Sequence, residues 1–411
     1  MTMRKDAETI IKAALHAANP DTAVRKALQN LPEVNGKIFL AAIGKAAWQM
    51  SATAAECLGE RLSEGICITK YGHVMGDIPH VACYEAGHPV MDENSVKASE
   101  AAVRMAENLQ ADDLLVFLVS GGGSDLFEVP AIPLAELQDI NRQLLSSGAD
   151  IVEMNTIRKR LSLVKGGKFA GLAAPARVFT VVLSDIIGDP LDMIASGPAC
   201  ADHTTCQEAL AIAEKYHLHL SDHALACLQT ETPKELGNVE TQITGSVRQL
   251  CAAAEDTCRT LGYEPHFLTA SLNCEAREAG RFLAAIARDH ADTDKPLAFI
   301  CGGETVVHLT GKGLGGRNQE LALAAAEGLA DLNNVLLFSL GSDGTDGPTD
   351  AAGGIVDGTT CHQLLELGCS IPALLADNDS YHALQKCNGL LMTGPTGTNV
   401  NDLTVLLIRP E

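Results

Sequence analysis

KIFLAAIGKAAWQMSATAAECL, residues 37–58, sets an apolar run against a Gly-Lys pair and then an Ala-rich segment. Lys37–Ile43 reads as a strand buried on both faces, because nothing polar interrupts it after Lys37. The residues after Gly44-Lys45 read as a helix. A buried strand that hands over at once to a helix is the repeating unit of an α/β fold. Lys45 stands at that hand-over, where open α/β sheets meet their ligands. A surface lysine beside a loop is the plainer alternative.

The same pattern recurs on either side. Gly65–Lys70 is a strand, and Ala86-Gly87-His88-Pro89 closes the next short one, with His88 read as a structural turn histidine against the alternative of lining a cleft. Leu114–Val119 is apolar throughout and runs into Ser120-Gly121-Gly122-Gly123-Ser124. Successive backbone N–H groups in such a turn can nest a phosphate, and Ser124 can add a hydroxyl. A plain strand-to-helix turn is the competing reading, and no G-x-x-x-x-G-K-[ST] string occurs. Val178–Leu183 ends in Ser184-Asp185, with Asp189 shortly after. Carboxylate oxygens in that position suit Mg²⁺, although turn or capping roles fit them too. Asn155–Ala173 gathers Arg158, Lys159, Arg160, Lys165 and Lys168. We expect most of these on a solvated helix face, with Lys165–Lys168 as a second anion site.

A boundary falls near 232, giving domains 1–232 and 233–411. In the second, strand Lys295–Cys301 leads into CGGETVVHLTGKGLGGRNQE, residues 301–320. Gly311, Gly313, Gly315 and Gly316 precede Arg317, and a helical pattern starts at Asn318. Free N–H groups at a helix start favour anions, and arginine offers a fork of donors. The expectation is an anion-handling loop, against a tight connection that merely needs glycine. The string also fits G-x-G-x-x-G, but the alternating Thr305–Thr310 before it is unlike a buried parallel strand. Val335–Leu340 ends in GSDGTDGPTDAAGG, where Asp343, Asp346 and Asp350 resemble a cation loop without its closing Glu. Leu403–Ile408 is the last strand.

The 411 residues are 46% hydrophobic, 20% charged and only 4% aromatic, which suits a soluble α/β protein. A net charge of −22 argues against nucleic acid or an anionic membrane as partner. The 13 cysteines include no C-x-x-C pair and sit mostly in apolar runs, as in a reducing compartment. The opening residues read as an amphipathic helix, and no apolar run approaches membrane-spanning length. The expected location is the cytoplasm.

Taken together, AAIGKAA (41–47), GHPVMDENS (87–95), SGGGSDLF (120–127), NTIRKRLSLVKGGKFA (155–170), LSDIIGDPLDMIASGP (183–198), GGRNQE (315–320), SDGTDGPTDAAGG (342–354) and TGPTGTNVNDL (393–403) resemble the glycerate 2-kinases of the MOFRL family. The resemblance is collinear over essentially the whole chain. It implies an N-terminal α/β/α, Rossmann-like domain, a smaller C-terminal α/β MOFRL domain, and an active site in the cleft between them. It implies phosphoryl transfer from ATP to D-glycerate, giving 2-phosphoglycerate, and leaves room for a homodimer. Carried over by position, Lys45 and Arg317 become the catalytic cations. Ser120, Gly121, Gly122, Gly123 and Ser124 become the nucleotide contact, and Asp185 and Asp189 the Mg²⁺ ligands. Asp343, Lys168 and Glu304 are further cleft candidates. Asp125 stands where the family commonly has alanine. The rival is an NAD(P)H-dependent hydroxypyruvate reductase built on Gly311–Gly316, with Asp343 on the ribose; that aspartate lies beyond the usual offset of about 20 residues.

Overall fold

The apolar run after Lys37 forms strand β1 (Ile38–Ile43). In this computed structural model, which describes residues 2–184, 186, 188 and 190–410, β1 lies inside a six-stranded sheet. Its companions are β2 (Leu62–Lys70), β3 (Val81–Ala86), β4 (Leu114–Val119), β5 (Arg177–Leu183) and β6 (Val239–Gly245). The order is β3-β2-β1-β4-β5-β6. β1 pairs in parallel with β2 and β4, and the β2/β3 and β4/β5 pairs are parallel too.

Both faces are covered, which is why the strands are apolar without alternation. Leu114, Val116 and Leu118 pack with Leu40, Ala42 and the helix Ala47–Leu58. Phe117 points the other way, its ring centroid 5.0 Å from Phe169 and 6.1 Å from Phe127. The chain builds outward from β1 to β3, then returns to β4 on the far side of β1. Next to one another, β1 and β4 therefore send their following turns in opposite directions. In open α/β sheets ligands bind outside the carboxyl ends of the strands where the order reverses in this way.

This unit comprises Ala23–Ser184 and the segment ending at Thr244. The other joins Met1–Thr22 to Gly245–Glu411, whereas the sequence reading placed the first 232 residues in one domain. One difference is the stretch to Thr244, whose β6 joins the first sheet; the other is helix Met3–Ala17. Its stripe Ala7, Ile10, Ile11 and Ala14 packs with Leu250, Cys251 and Ala254 of helix Val247–Thr260. Asp6 fixes the match: its carboxylate accepts from Tyr263 Oη at 2.8 Å and Arg409 Nη2 at 2.7 Å.

The second sheet holds β7 (Glu264–Leu272), β8 (Leu297–Gly303), β9 (Val335–Gly341), β10 (Gly353–Asp357), β11 (Leu390–Leu391) and β12 (Asp402–Ile408). Its order is β11-β10-β9-β12-β8-β7. β7 and β8 are parallel, while β12 runs antiparallel to both β8 and β9. Helices Ala276–Asp289 and Arg317–Leu329 pack closely together. Gly280 permits this, since a β-carbon there would lie 2.2 Å from the Leu321 carbonyl oxygen. Among the described residues no helix is long and apolar enough to cross a membrane.

Candidate active site

Beyond β1 the chain turns at Gly44, whose φ is +111°; a β-carbon there would lie 2.3 Å from Ser120 Oγ. Only glycine lets the turns after β1 and β4 come this close. Ser120 stitches them together: its hydroxyl donates to the Ile43 carbonyl and accepts from the Ala46 N–H, both at 3.1 Å. Lys45 N–H donates to the Gly121 carbonyl at 2.9 Å. The Ser120 hydroxyl thus serves the backbone. By contrast, the N–H groups of Gly122, Gly123 and Ser124 find no protein acceptor among the described residues.

Gly122 has φ +83° and begins the short helix Gly123–Leu126. A β-carbon on it would lie 2.9 Å from His88 Nε2 and 3.2 Å from Lys45 Cε. Lys45, His88 and the triple-glycine turn therefore converge. The Lys45 side chain is exposed, and its ammonium makes no hydrogen bond or ion pair among the described residues. Burial and the positive charges of Lys45 and Lys70 hold the His88 imidazole below its ordinary range, against the opposing pull of Asp125.

Beneath the turn lies Ala195-Ser196, with φ +51° and +59°. Left-handed backbone at residues bearing β-carbons costs about 1–2 kcal/mol each. The conformation brings Ser196 Oγ within 3.1 Å of Ser124 Oγ while it donates to Asn155 Oδ1 at 2.8 Å. Asp185 and Asp189 lie outside the described residues.

The basic stretch departs from expectation. Lys159, Arg160 and Lys165 are 0%, 2% and 0% exposed, not solvated. Their partners come from distant sequence: Asp192 and Asp202 for Lys159, Asp202 and Glu231 for Arg160, and Glu128 for Lys165. Lys168 donates to the Lys159 carbonyl at 3.0 Å and to the Ser162 carbonyl, clamping the end of helix Ile151–Arg160. Burial pushes its ammonium down to about 8.

In the other unit Arg317 opens helix Arg317–Leu329. It grips Asp402 with two bonds, Nε to Oδ2 at 2.6 Å and Nη2 to Oδ1 at 2.9 Å, and reaches Glu304 at 2.8 Å. Glu304, Arg317, Ser342, Asp343, Asn401 and Asp402 line a polar cavity of about 300 Å³. Asp343 Oδ1 accepts from the Thr345 N–H at 3.0 Å. Burial pushes the Asp402 carboxyl up to about 6, against the guanidinium. Burial also works against the Arg317 charge, but the Asp402 bonds and the charges of Asp402, Glu304 and Asp346 outweigh it and hold the group above its ordinary range.

The expected anion loop before Arg317 is filled by the protein itself. Asn318 and Gln319 N–H donate to Asp346 Oδ1 and Oδ2 at 3.1 and 2.8 Å, so a buried carboxylate occupies the helix start. Gly311, Lys312 and Leu314 N–H donate to Asn378, Asp377 and Asp379 side chains at 2.9, 3.0 and 3.0 Å. β-Carbons on Gly311, Gly313 and Gly315 would run into Asp377, Asp379 and Ser380. The tight connection wins because close packing, not a ligand, demands the glycines. Asp346→Ala removes a cap and strands the N–H groups, so we expect a loss of about 2 kcal/mol, read as a lower urea midpoint with unchanged slope.

Two family models match the chain in succession, and the first takes in most of helix Met3–Ala17, which packs with the other unit. A family described as a domain of unknown function (DUF4147) covers residues 6–229, and the MOFRL family covers 297–402. A protein of Thermotoga maritima named D-glycerate 2-kinase is 49% identical over 99% of both chains. A Thermotoga maritima crystal structure titled glycerate kinase, at the same identity and coverage, superposes with a TM-score of 0.95. A Pyrococcus horikoshii glycerate 2-kinase is 37% identical over 100% of this chain and 98% of its own. An Agrobacterium vitis protein, 38% identical over 99% of this chain and 95% of its own, carries a provisional hydroxypyruvate reductase name. With both halves matched in order and identity sustained from end to end, the chain belongs to the glycerate 2-kinase family, DUF4147-type in its N-terminal part and MOFRL-type in its C-terminal part.

Proposed function

We propose that the chain is an ATP- and Mg²⁺-dependent kinase that phosphorylates D-glycerate to 2-phosphoglycerate. The observation that carries this reading is the Lys45 ammonium, unpaired among the described residues, beside a glycine turn with unused N–H groups at the carboxyl ends of β1 and β4. Phosphoryl transfer needs positioning and charge neutralisation more than covalent help. Gly122, Gly123 and Ser124 N–H hold phosphate oxygens, and Lys45 offsets charge on the transferring group. Arg317 is the second cation of the proposal, kept in one orientation by Asp402 and Glu304. Asp185 and Asp189 are the proposed Mg²⁺ ligands, hard oxygens of the kind that ion takes. The ion, when bound, neutralises charge on the nucleotide phosphates.

The reductase reading loses its fingerprint once Asp377, Asn378 and Asp379 occupy the glycine string. Two assays separate the readings. We expect ADP release with ATP, Mg²⁺ and D-glycerate, and a product phosphorus signal at the 2-position by ³¹P NMR. NADH consumption with hydroxypyruvate, without ADP release, would overturn the proposal.

A further inference from the structure

We infer that His88 is the general base of this transfer, its Nε2 taking the proton of the acceptor hydroxyl. The inference rests on the kinase reading of the same site. His88 follows β3, yet its ring reaches across to Gly122 and the Lys45 chain, two turns that follow β4 and β1. Nε2 is the ring atom nearest the Gly122 position, 2.9 Å from where a β-carbon would stand. A glycine there leaves the nitrogen unobstructed. Neither ring nitrogen has a hydrogen-bond partner among the described residues, so the imidazole is not spent on holding a turn. That separates it from His73, whose Nδ1 lies 3.3 Å from the Lys45 carbonyl oxygen.

The charged groups facing His88 come from three elements: Lys45 after β1, Lys70 at the end of β2, and Asp125 after the glycine turn. Burial and the two cations favour the neutral ring, whose Nε2 can then offer a lone pair. A base beside Lys45 stands next to the phosphoryl group that Lys45 serves, which is where the attacking hydroxyl must arrive. In the step, the acceptor O–H bond breaks and its proton passes to Nε2. A P–O bond forms to the acceptor oxygen, the bond from γ-phosphorus to its bridging oxygen breaks, and ADP leaves with that electron pair. The imidazolium then returns its proton to solvent.

His88→Gln keeps a polar side chain but cannot take the proton. We expect kcat for ADP release to fall roughly 10²-fold or more, with little change in KM for ATP. Wild-type kcat/KM should decline as pH falls through an imidazole pKa below about 6.5, and that limb should vanish in the variant. Asp125→Asn removes the charge that raises the His88 pKa, so the acidic limb should move to lower pH; this variant decides the matter should His88→Gln fold poorly. Added imidazole should partly restore His88→Ala. Near-normal kcat in His88→Gln, or an acidic limb that neither substitution moves, overturns the inference while leaving the kinase reading intact. Absence of ADP release in the wild type with any small hydroxy acid removes the kinase reading instead.

Discussion

Lys45→Ala lowers kcat for ADP release by roughly 10²–10³-fold, the scale of losing one charge-stabilising donor in a phosphoryl or acyl site. The thermal midpoint stays where it was. The exposed ammonium has no partner among the described residues, so its removal strands nothing. Its effect on the reaction is large because the chain carries a net charge of −22, and an anionic nucleotide depends on local cations against that field. Lys45→Arg keeps the charge but replaces a compact ammonium with a broad fork, so partial activity is the expected result. Turnover of Lys45→Ala at the wild-type rate would sink the assignment. Arg317→Ala is a less clean experiment: it leaves Asp402 buried without its bidentate partner, so stability and activity fall together. The resemblance made both residues catalytic cations; the structure distinguishes Lys45, unpaired among the described residues, from Arg317, bound to Asp402 and Glu304.

The largest stability loss is expected at Glu128. Its Oε2 accepts from Lys165 Nζ at 2.7 Å, and the two residues are 1% and 0% exposed. Lys165 also donates to the Phe127 carbonyl at 2.8 Å. Glu128→Ala leaves an ammonium in the interior with one neutral acceptor, which typically costs about 3–5 kcal/mol. Chemical denaturation measures it, and a loss below about 1 kcal/mol would mean that the pair is solvated in practice. Replacing both residues together, as Glu128→Gln with Lys165→Met, should recover much of the loss, because no lone charge remains. Since Phe127 and Glu128 directly follow helix Gly123–Leu126, the pair also anchors the far side of the glycine turn.

What could be read from sequence divides along physical lines. Continuous apolar runs were legible: the strand expected at Leu114–Val119 has those bounds, and Val178–Leu183 begins one residue earlier. An unbroken hydrophobic string has few places to go other than a sheet covered on both sides. The neighbourhood of Lys45 and Ser120–Ser124 was legible for the same reason, since both follow such strands. Glycine clusters were not. Gly122 faces the ends of two side chains, His88 and Lys45, whereas Gly311–Gly315 are pressed against Asp377–Ser380, and nothing local tells the two apart. The charges at 158–165 were misread because their counter-ions lie up to 71 residues away, as with Arg160 and Glu231. His88 looked like a turn residue for a similar reason. Its neighbours are brought to it by strand order alone. The left-handed Ala195-Ser196 had no signal at all, neither residue being one that favours that backbone.

The position of β12 in its sheet has a bearing on how the protein is made. Residues 402–408 fill the gap between β8 and β9, and helix Met3–Ala17 covers the same sheet. During translation helix Met3–Ala17 emerges well before β12 and waits, its oily side unshielded, until that strand has left the ribosome. The unit around β1 can fold as its residues appear. The unit around β12 can knit its sheet only after that strand arrives, so the long-exposed face is expected on helix Met3–Ala17.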